Sequence, residues 1–251
     1  MKALLPEAAA DVDLLLAYGV PDEAGGERPF VRCNMISSFD GAVTVNGRSG
    51  ALGGTADRRI FAILRSFADV VLVGAGTARA ENYGPVRLDD RLRGLRMARG
   101  QTAVPPIAVV TRSVNLDWSS PFFTAAEQRP IVFVTRDCEN DRQRRGMEVA
   151  EVVVAGDARV DVRFVMGYFH DSGYRSVLLE GGPGLNGDVA RAGLLDELCL
   201  TMSPRLVAGH GPRLLAGDEL AQPLDLVVLH LLEQEGSLFY RLGIRSSANK
   251  A

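Results

Sequence analysis

From residue 30 onward the chain alternates between short continuous apolar runs and stretches where apolar residues recur every three or four positions. Residues 30–36 read as a strand. Ile60, Ile63, Leu64 and Phe67 then fall at i, i+3, i+4 and i+7, one apolar helical face. Thr55 or Asp57 is placed to cap that helix. Residues 69–73 are continuous and rich in valine, the pattern of a strand buried on both faces, and they run into Gly74-Ala-Gly-Thr77. Residues 107–111, 131–135 and 152–155 repeat the short apolar pattern. A helix over 161–171 would place Val162, Val165, Met166 and Phe169 on one face. It leads to a strand over 176–180, a glycine-rich turn, a helix bearing Leu185, Val189 and Ala192, and a strand over 198–202.

Strands alternating with helices predict an α/β fold: a mixed, mostly parallel sheet with helices on both faces. Residues 226–245 have strand character around Gly236-Ser237, which adds a C-terminal antiparallel hairpin. Residues 1–29 read as an N-terminal extension with a short helix near 14–18. The ordered pattern makes 30–251 a single domain, with no linker or repeat to divide it.

Composition narrows the class. At 251 residues and 47% hydrophobic the chain can bury a large core. A net charge of −3 argues against a nucleic-acid partner, which would select a basic surface. No apolar run is long enough to span a membrane, and with Pro6, Glu7, Asp11 and Asp13 interrupting its apolar residues no export signal is expected at the N-terminus. Cys33, Cys138 and Cys199 form neither a disulfide framework nor a zinc spacing, so a reducing cytoplasmic setting is expected. His170, His210 and His230 are dispersed, and no metal site is expected.

The sharpest local feature is the turn Glu180-Gly-Gly-Pro-Gly-Leu-Asn-Gly187. Gly182 to Gly187 fit GxGxxG between a buried strand and a helix, an arrangement that brings backbone amides up to a phosphate. The turn comes late in the chain, and the next strand ends in Met202-Ser-Pro204 without a ribose-binding acid, so an ordinary Rossmann domain is not indicated. Gly74-Ala-Gly-Thr-Ala-Arg79 is a second strand-to-helix glycine turn. Arg112 and Arg136 stand just beyond strand ends, where a guanidinium beside small hydroxyls can fork onto a phosphate. Asp40 either has a chemical role or closes a tight turn with Gly41. The zinc deaminase pattern, the P-loop and the GxSxG elbow are all absent.

Taken in order, Asn34-Met-Ile-Ser-Ser-Phe-Asp-Gly41, Leu64-Arg65, Val73-Gly-Ala-Gly-Thr77, Val110-Thr-Arg112, the 180–187 turn and Leu194-Leu-Asp-Glu-Leu198 resemble the reductase domain of riboflavin biosynthesis. The resemblance spans about residues 30–245. It implies a dihydrofolate-reductase-like α/β fold, a homodimer, and NADPH as cofactor. It also implies reduction of 5-amino-6-(5-phosphoribosylamino)uracil to its ribitylamino product, by hydride transfer to the sugar C1′. Carried over by position, Ile36, Gly74, Thr77, Glu81, Thr111, Arg112 and the run Gly181, Gly182, Pro183, Gly184, Leu185, Asn186 and Gly187 would meet the cofactor. Ser49, Arg65 and Arg87 would hold the sugar phosphate, with Glu180 beside the reacting sugar; Glu180 or Asp40 would be the catalytic carboxyl. The chain departs from the family at Phe39, Ala42, Ala51, Glu81 and Gly184, where Leu, a polar residue, an aromatic, Asp and Thr are usual. Ala42 and Ala51 reshape the substrate side. Reduction of dihydrofolate or another pterin or heterocycle, and a non-catalytic NADPH-binding protein, are therefore the alternatives.

Overall fold

A computed structural model describes residues 1–20, 26–137 and 146–245. Ten strands form one sheet in the order β1-β9-β10-β8-β2-β7-β3-β4-β5-β6. The seven from β8 to β6 are β8 (Glu197–Ser203), β2 (Phe30–Ser38), β7 (Ser176–Leu179), β3 (Val70–Gly74), β4 (Ile107–Val110), β5 (Ile131–Val134) and β6 (Glu151–Val154). They run parallel throughout. The hairpin β9 (Leu226–Gln234) and β10 (Ser237–Ile244) then extends the sheet antiparallel beside β8. Its two-residue connection, Glu235-Gly236, has positive φ at both positions (53° and 76°), the geometry that matches strand twist in a tight hairpin.

The parallel strands alternate their side chains between two cores. Val71 and Val73 face one core with Ile60, Ile63 and Leu64 of α2 (Thr55–Phe67), Leu92 of α4 (Asp90–Ala98) and the Phe122–Phe123 pair of α5 (Pro121–Thr124). Val70 and Leu72 face the other with Val165, Met166 and Phe169 of α6 (Val162–Asp171) and Val189 of α7 (Pro183–Arg191). Burial on both faces accounts for the unbroken apolar runs. The mixed sheet, the helices on both faces and the closing hairpin are the architecture expected from the pattern.

Residues 1–20 are tied into this body. β1 (Lys2–Leu5) pairs with the end of β9, and α1 (Leu14–Ala17) buries Leu14 against the first core, with Tyr18 beside it. The carbonyls of Ala17, Tyr18 and Gly19 accept hydrogen bonds from the Arg32 and Arg241 guanidiniums. Both arginines also pair with buried Glu197. Cys33 and Cys199 are free, buried thiols that burial pushes up, Cys33 to about 12 and Cys199 well above the ordinary thiol range; Cys138 lies outside the described residues. Among the described residues no helix is long and apolar enough to cross a membrane.

β8 flanks β2 on one side, while β3 to β6 extend the other way and β7 is inserted between β2 and β3. The winding therefore reverses around β2, β7 and β3, and a ligand crevice is expected beyond the carboxyl ends of those strands.

Candidate active site

The glycine turn closes that crevice from below. Gly181 has φ +86°, a left-handed conformation that glycine adopts without Cβ conflict, and the Gly181–Gly182 peptide is cis. The Gly181 carbonyl accepts from the Gly74 amide at 2.7 Å and the Glu180 amide donates to Leu72 at 2.9 Å, so the turn is stitched to the end of β3. α7 starts immediately at Pro183, whose ring is pre-set for a first helical position. Its N-cap, Gly182, makes no side-chain capping bond. The amides of Gly184 and Leu185 thus have no intrahelical acceptor and form the positive end of the helix dipole. The facing helix α3 (Ala75–Ala80) begins in the same way, with Gly74 as a cap that makes no side-chain bond.

On one side of the turn lies an open groove of about 760 Å³, lined by Gly74, Gly76, Thr111, Arg112, Gly184 and Leu185, with Arg79 and Arg159 at its edges. A Cβ on Gly76 or Gly184 would meet only open space. Arg191 is spent on Asp188 and the Asp218 carbonyl, and Arg79 donates to the Asn115 carbonyl. Arg112 and Arg159 are exposed and make no side-chain hydrogen bond or ion pair among the described residues. The groove therefore presents two uncommitted guanidiniums beside two helix N-termini.

On the other side is a cleft of about 470 Å³ with mainly apolar walls, including Met35, Ile36, Val43 and Phe61. Glu180 is buried at its floor. Arg65 donates to both carboxylate oxygens at 2.7 Å, and the Tyr83 hydroxyl donates to Oε2 at 2.8 Å. Arg65 is itself packed over the Phe61 ring, 4.2 Å from its centroid. Burial and the neighbouring Glu180 carboxylate push the Tyr83 phenol well above its ordinary range, so Tyr83 remains a donor. Glu81 accepts from the Ser49 amide at 2.6 Å and fastens the 45–50 loop over the cleft. Gly76 borders both cavities, and the turn divides between them: Gly182 and Pro183 face the cleft, Gly184 and Leu185 the groove.

Residues 29–236, most of the chain, match the sequence profile described as the RibD C-terminal domain. This chain belongs to the RibD C-terminal domain family. Among its relatives, the 2,5-diamino-6-ribosylamino-4(3H)-pyrimidinone 5′-phosphate reductase of Methanothermobacter thermautotrophicus is 30% identical over 81% of this chain and 91% of its own. The enzyme of the same name from Aquifex aeolicus is 28% identical over 82% and 90%. A pyrimidine reductase-like protein from Corynebacterium diphtheriae superposes with a TM-score of 0.84 at 26% identity, covering 94% of this chain and all of the other. The Saccharomyces riboflavin biosynthesis reductase Rib7 shares the fold at TM-score 0.64 and 18% identity, over 87% and 90% of the two chains.

Within this RibD-type domain, Ile36, Ser49, Thr77, Glu81 and Glu180 converge on the cleft, and Gly74, Thr111, Arg112, Gly184 and Leu185 on the groove. Other expected contacts have different surroundings. Asn186 is buried and donates to the Leu214 carbonyl, and a Cβ on Gly187 would lie 2.1 Å from the Ala216 carbonyl oxygen. These two residues, like Gly181, shape the turn from behind and line neither cavity. Arg65 is committed to Glu180 rather than left free for a phosphate. Arg87 is exposed and outside the cleft lining, where Arg58 stands instead. Asp40 is exposed and accepts from Ser38, Val207 and Ala208, bonds that hold its carboxyl below the usual range; it clasps two loops and is outside the cleft lining.

Asp57 was missed as a cleft residue. The cap position it was expected to share with Thr55 falls on Gly54, and its Oδ1 accepts from Thr201 on β8 at 2.7 Å. Burial raises its carboxyl above the ordinary range, with the Thr201 bond and nearby Arg58 acting the other way.

Proposed function

We propose that this chain is an NADPH-dependent reductase of a phosphoribosylamino-pyrimidine, acting at the sugar C1′ in riboflavin biosynthesis. The supporting observation is that groove and cleft meet on one glycine turn and share Gly76, so a long dinucleotide can cross the turn with its two ends in different cavities. The residues present fit that cofactor. Gly76, which borders both cavities, leaves open space where a side chain would obstruct, and the capless starts of α3 and α7 suit a pyrophosphate. Arg112, beside Thr111, is placed to fork onto a 2′-phosphate, with Arg159 as a second positive charge.

When bound, NADPH would supply the hydride that the protonated open-chain imine of the substrate accepts at C1′, the proton on nitrogen coming from solvent. The chain's own residues orient the partners. Glu180, held by two Arg65 bonds and one from Tyr83, is a fixed acceptor aimed at sugar hydroxyls. Ser49 and Arg58 are the cleft's polar and positive groups for the sugar phosphate. Ile36, Val43 and Phe61 exclude water around a flat heterocycle. The Methanothermobacter and Aquifex enzymes are named for the 2,5-diamino pyrimidinone, whereas the sequence resemblance pointed to the uracil; the two rings differ at C2, and C1′ is the reduced atom in this reading for both.

Calorimetric titration with NADPH tests the cofactor half of this reading. Saturable one-to-one binding is expected, and no binding contradicts it.

A further inference from the structure

Asp57 is the cleft's one carboxylate with no assigned work in the proposed reduction. It lies in the first turn of α2, and its two oxygens are held differently. Oδ1 accepts from the Thr201 hydroxyl at 2.7 Å. Oδ2 occupies space left by the missing side chain of Gly53, where a Cβ would be only 2.6 Å away. The carboxylate plane is thereby fixed from β8 on one side and from the 50–54 loop on the other. A carboxylate offers about four acceptor directions, and Thr201 fills one. Among the described residues no cation pairs with it, although Arg65 is paired with Glu180 in the same region.

A half-buried carboxylate with no ion pair, only the field of nearby Arg58, and walled by Ile36 and Phe61, has acceptor directions that a ligand's donors can fill. The strongest fit is a pair of parallel N–H groups, as a guanidinium presents. A 2-amino-4-oxopyrimidine has such a pair in its ring N3–H and exocyclic 2-amine. The corresponding uracil does not: its N3–H is flanked by carbonyls on both sides. Its other adjacent donors, N1–H and the 6-amine, sit on the edge that carries the sugar. A C2 carbonyl turned toward Asp57 would set acceptor against acceptor and leave both unsatisfied.

We infer that Asp57, positioned by Thr201 and Gly53, reads the 2-amino edge of the pyrimidine and makes the site select the 2,5-diamino pyrimidinone over the aminouracil. This deepens the proposed reductase reading and rests on its choice of cleft.

The test is anaerobic calorimetry of the two phosphoribosylamino nucleotides, with cofactor omitted, on the wild-type chain and on Asp57→Asn. The wild type is expected to prefer the 2-amino nucleotide by on the order of 100-fold. Asp57→Asn, nearly isosteric and able to keep the Thr201 bond, should reduce that preference to within about threefold, because its amide can donate to a C2 carbonyl. Equal wild-type affinities, undiminished preference in the variant, or no binding of either nucleotide would each overturn the inference. Binding needs no turnover. Selective binding without NADPH oxidation would leave the ring reading standing and defeat the reductase reading, whereas equal binding with good turnover would do the reverse.

Discussion

Arg112 and Glu180 are both charged residues at the carboxyl ends of parallel strands, yet their surroundings give them opposite properties. Arg112 is exposed and uncommitted, so its guanidinium is available to a ligand at little structural cost. Arg112→Ala should therefore weaken NADPH by roughly 10- to 100-fold and leave NADH almost unchanged, since only NADPH carries the 2′-phosphate. Parallel titrations of the two nucleotides check this; equal losses would mean Arg112 does not contact that phosphate. Glu180 is buried under three donated hydrogen bonds. Glu180→Gln would leave the Arg65 charge uncompensated in a buried site, a change that typically costs about 3–5 kcal/mol. Denaturant unfolding should show that loss, and unchanged stability would contradict the tight ion pair. Asp57 shows why some residue roles escape sequence reading. A carboxylate in the first turn of a helix ordinarily means a cap or a favourable dipole contact. Thr201, which turns it into a cleft residue, lies 144 positions away.

At the scale of elements, the glycine turn makes different demands at each position. A Cβ at Gly184 meets nothing, at Gly182 it lies 2.4 Å from Thr77 Oγ1, and at Gly187 it lies 2.1 Å from a backbone carbonyl. Gly184→Thr should keep the wild-type Tm and bind NADPH within a few-fold. Gly182→Ala should impair NADPH binding by displacing Thr77 or the turn. Gly187→Ala should lower the Tm, because a backbone carbonyl cannot move aside cheaply. Similar effects at all three positions would contradict this division of labour. The GxGxxG spacing predicted the strand, turn and helix, and the backbone places only its first four positions, Gly182 to Leu185, on a cavity. The parallel strands were legible because burial on both faces leaves an unbroken β-branched run. β1 and α4 were not: Lys2–Leu5 is too short to show a period, and Asp90–Ala98 carries three arginines that mask its narrow apolar face.

Over the whole molecule, the charge network of Arg32, Glu197 and Arg241 joins residues 1–20 to the sheet far from the cleft. The N-terminal extension thus contributes Leu14 and Tyr18 to the core of the domain. His230 stands in this network, edge-on to Tyr18 with ring centroids 4.8 Å apart. Burial, with Arg241 next in effect, depresses it to about 4. Its folded value lies below its unfolded value near 6.5, so the unfolded chain takes up a proton that the native state refuses. The stability from neutral His230 is complete above about pH 6.5 and is lost as pH falls toward 4, by on the order of 2–3 kcal/mol. In His230→Gln the Tm should fall less steeply across that interval; matching slopes for variant and wild type would contradict a depressed His230.

The division of the ligand space by a single turn leads to one activity. The most direct measurement is loss of NADPH absorbance with the purified chain and 2,5-diamino-6-ribosylamino-4(3H)-pyrimidinone 5′-phosphate, with dihydrofolate as the comparison substrate. Stoichiometric NADPH oxidation coupled to formation of the ribitylamino product is expected, and little or none with dihydrofolate. NADPH that binds but is not oxidised with the pyrimidine, or that is oxidised faster with dihydrofolate, would contradict it.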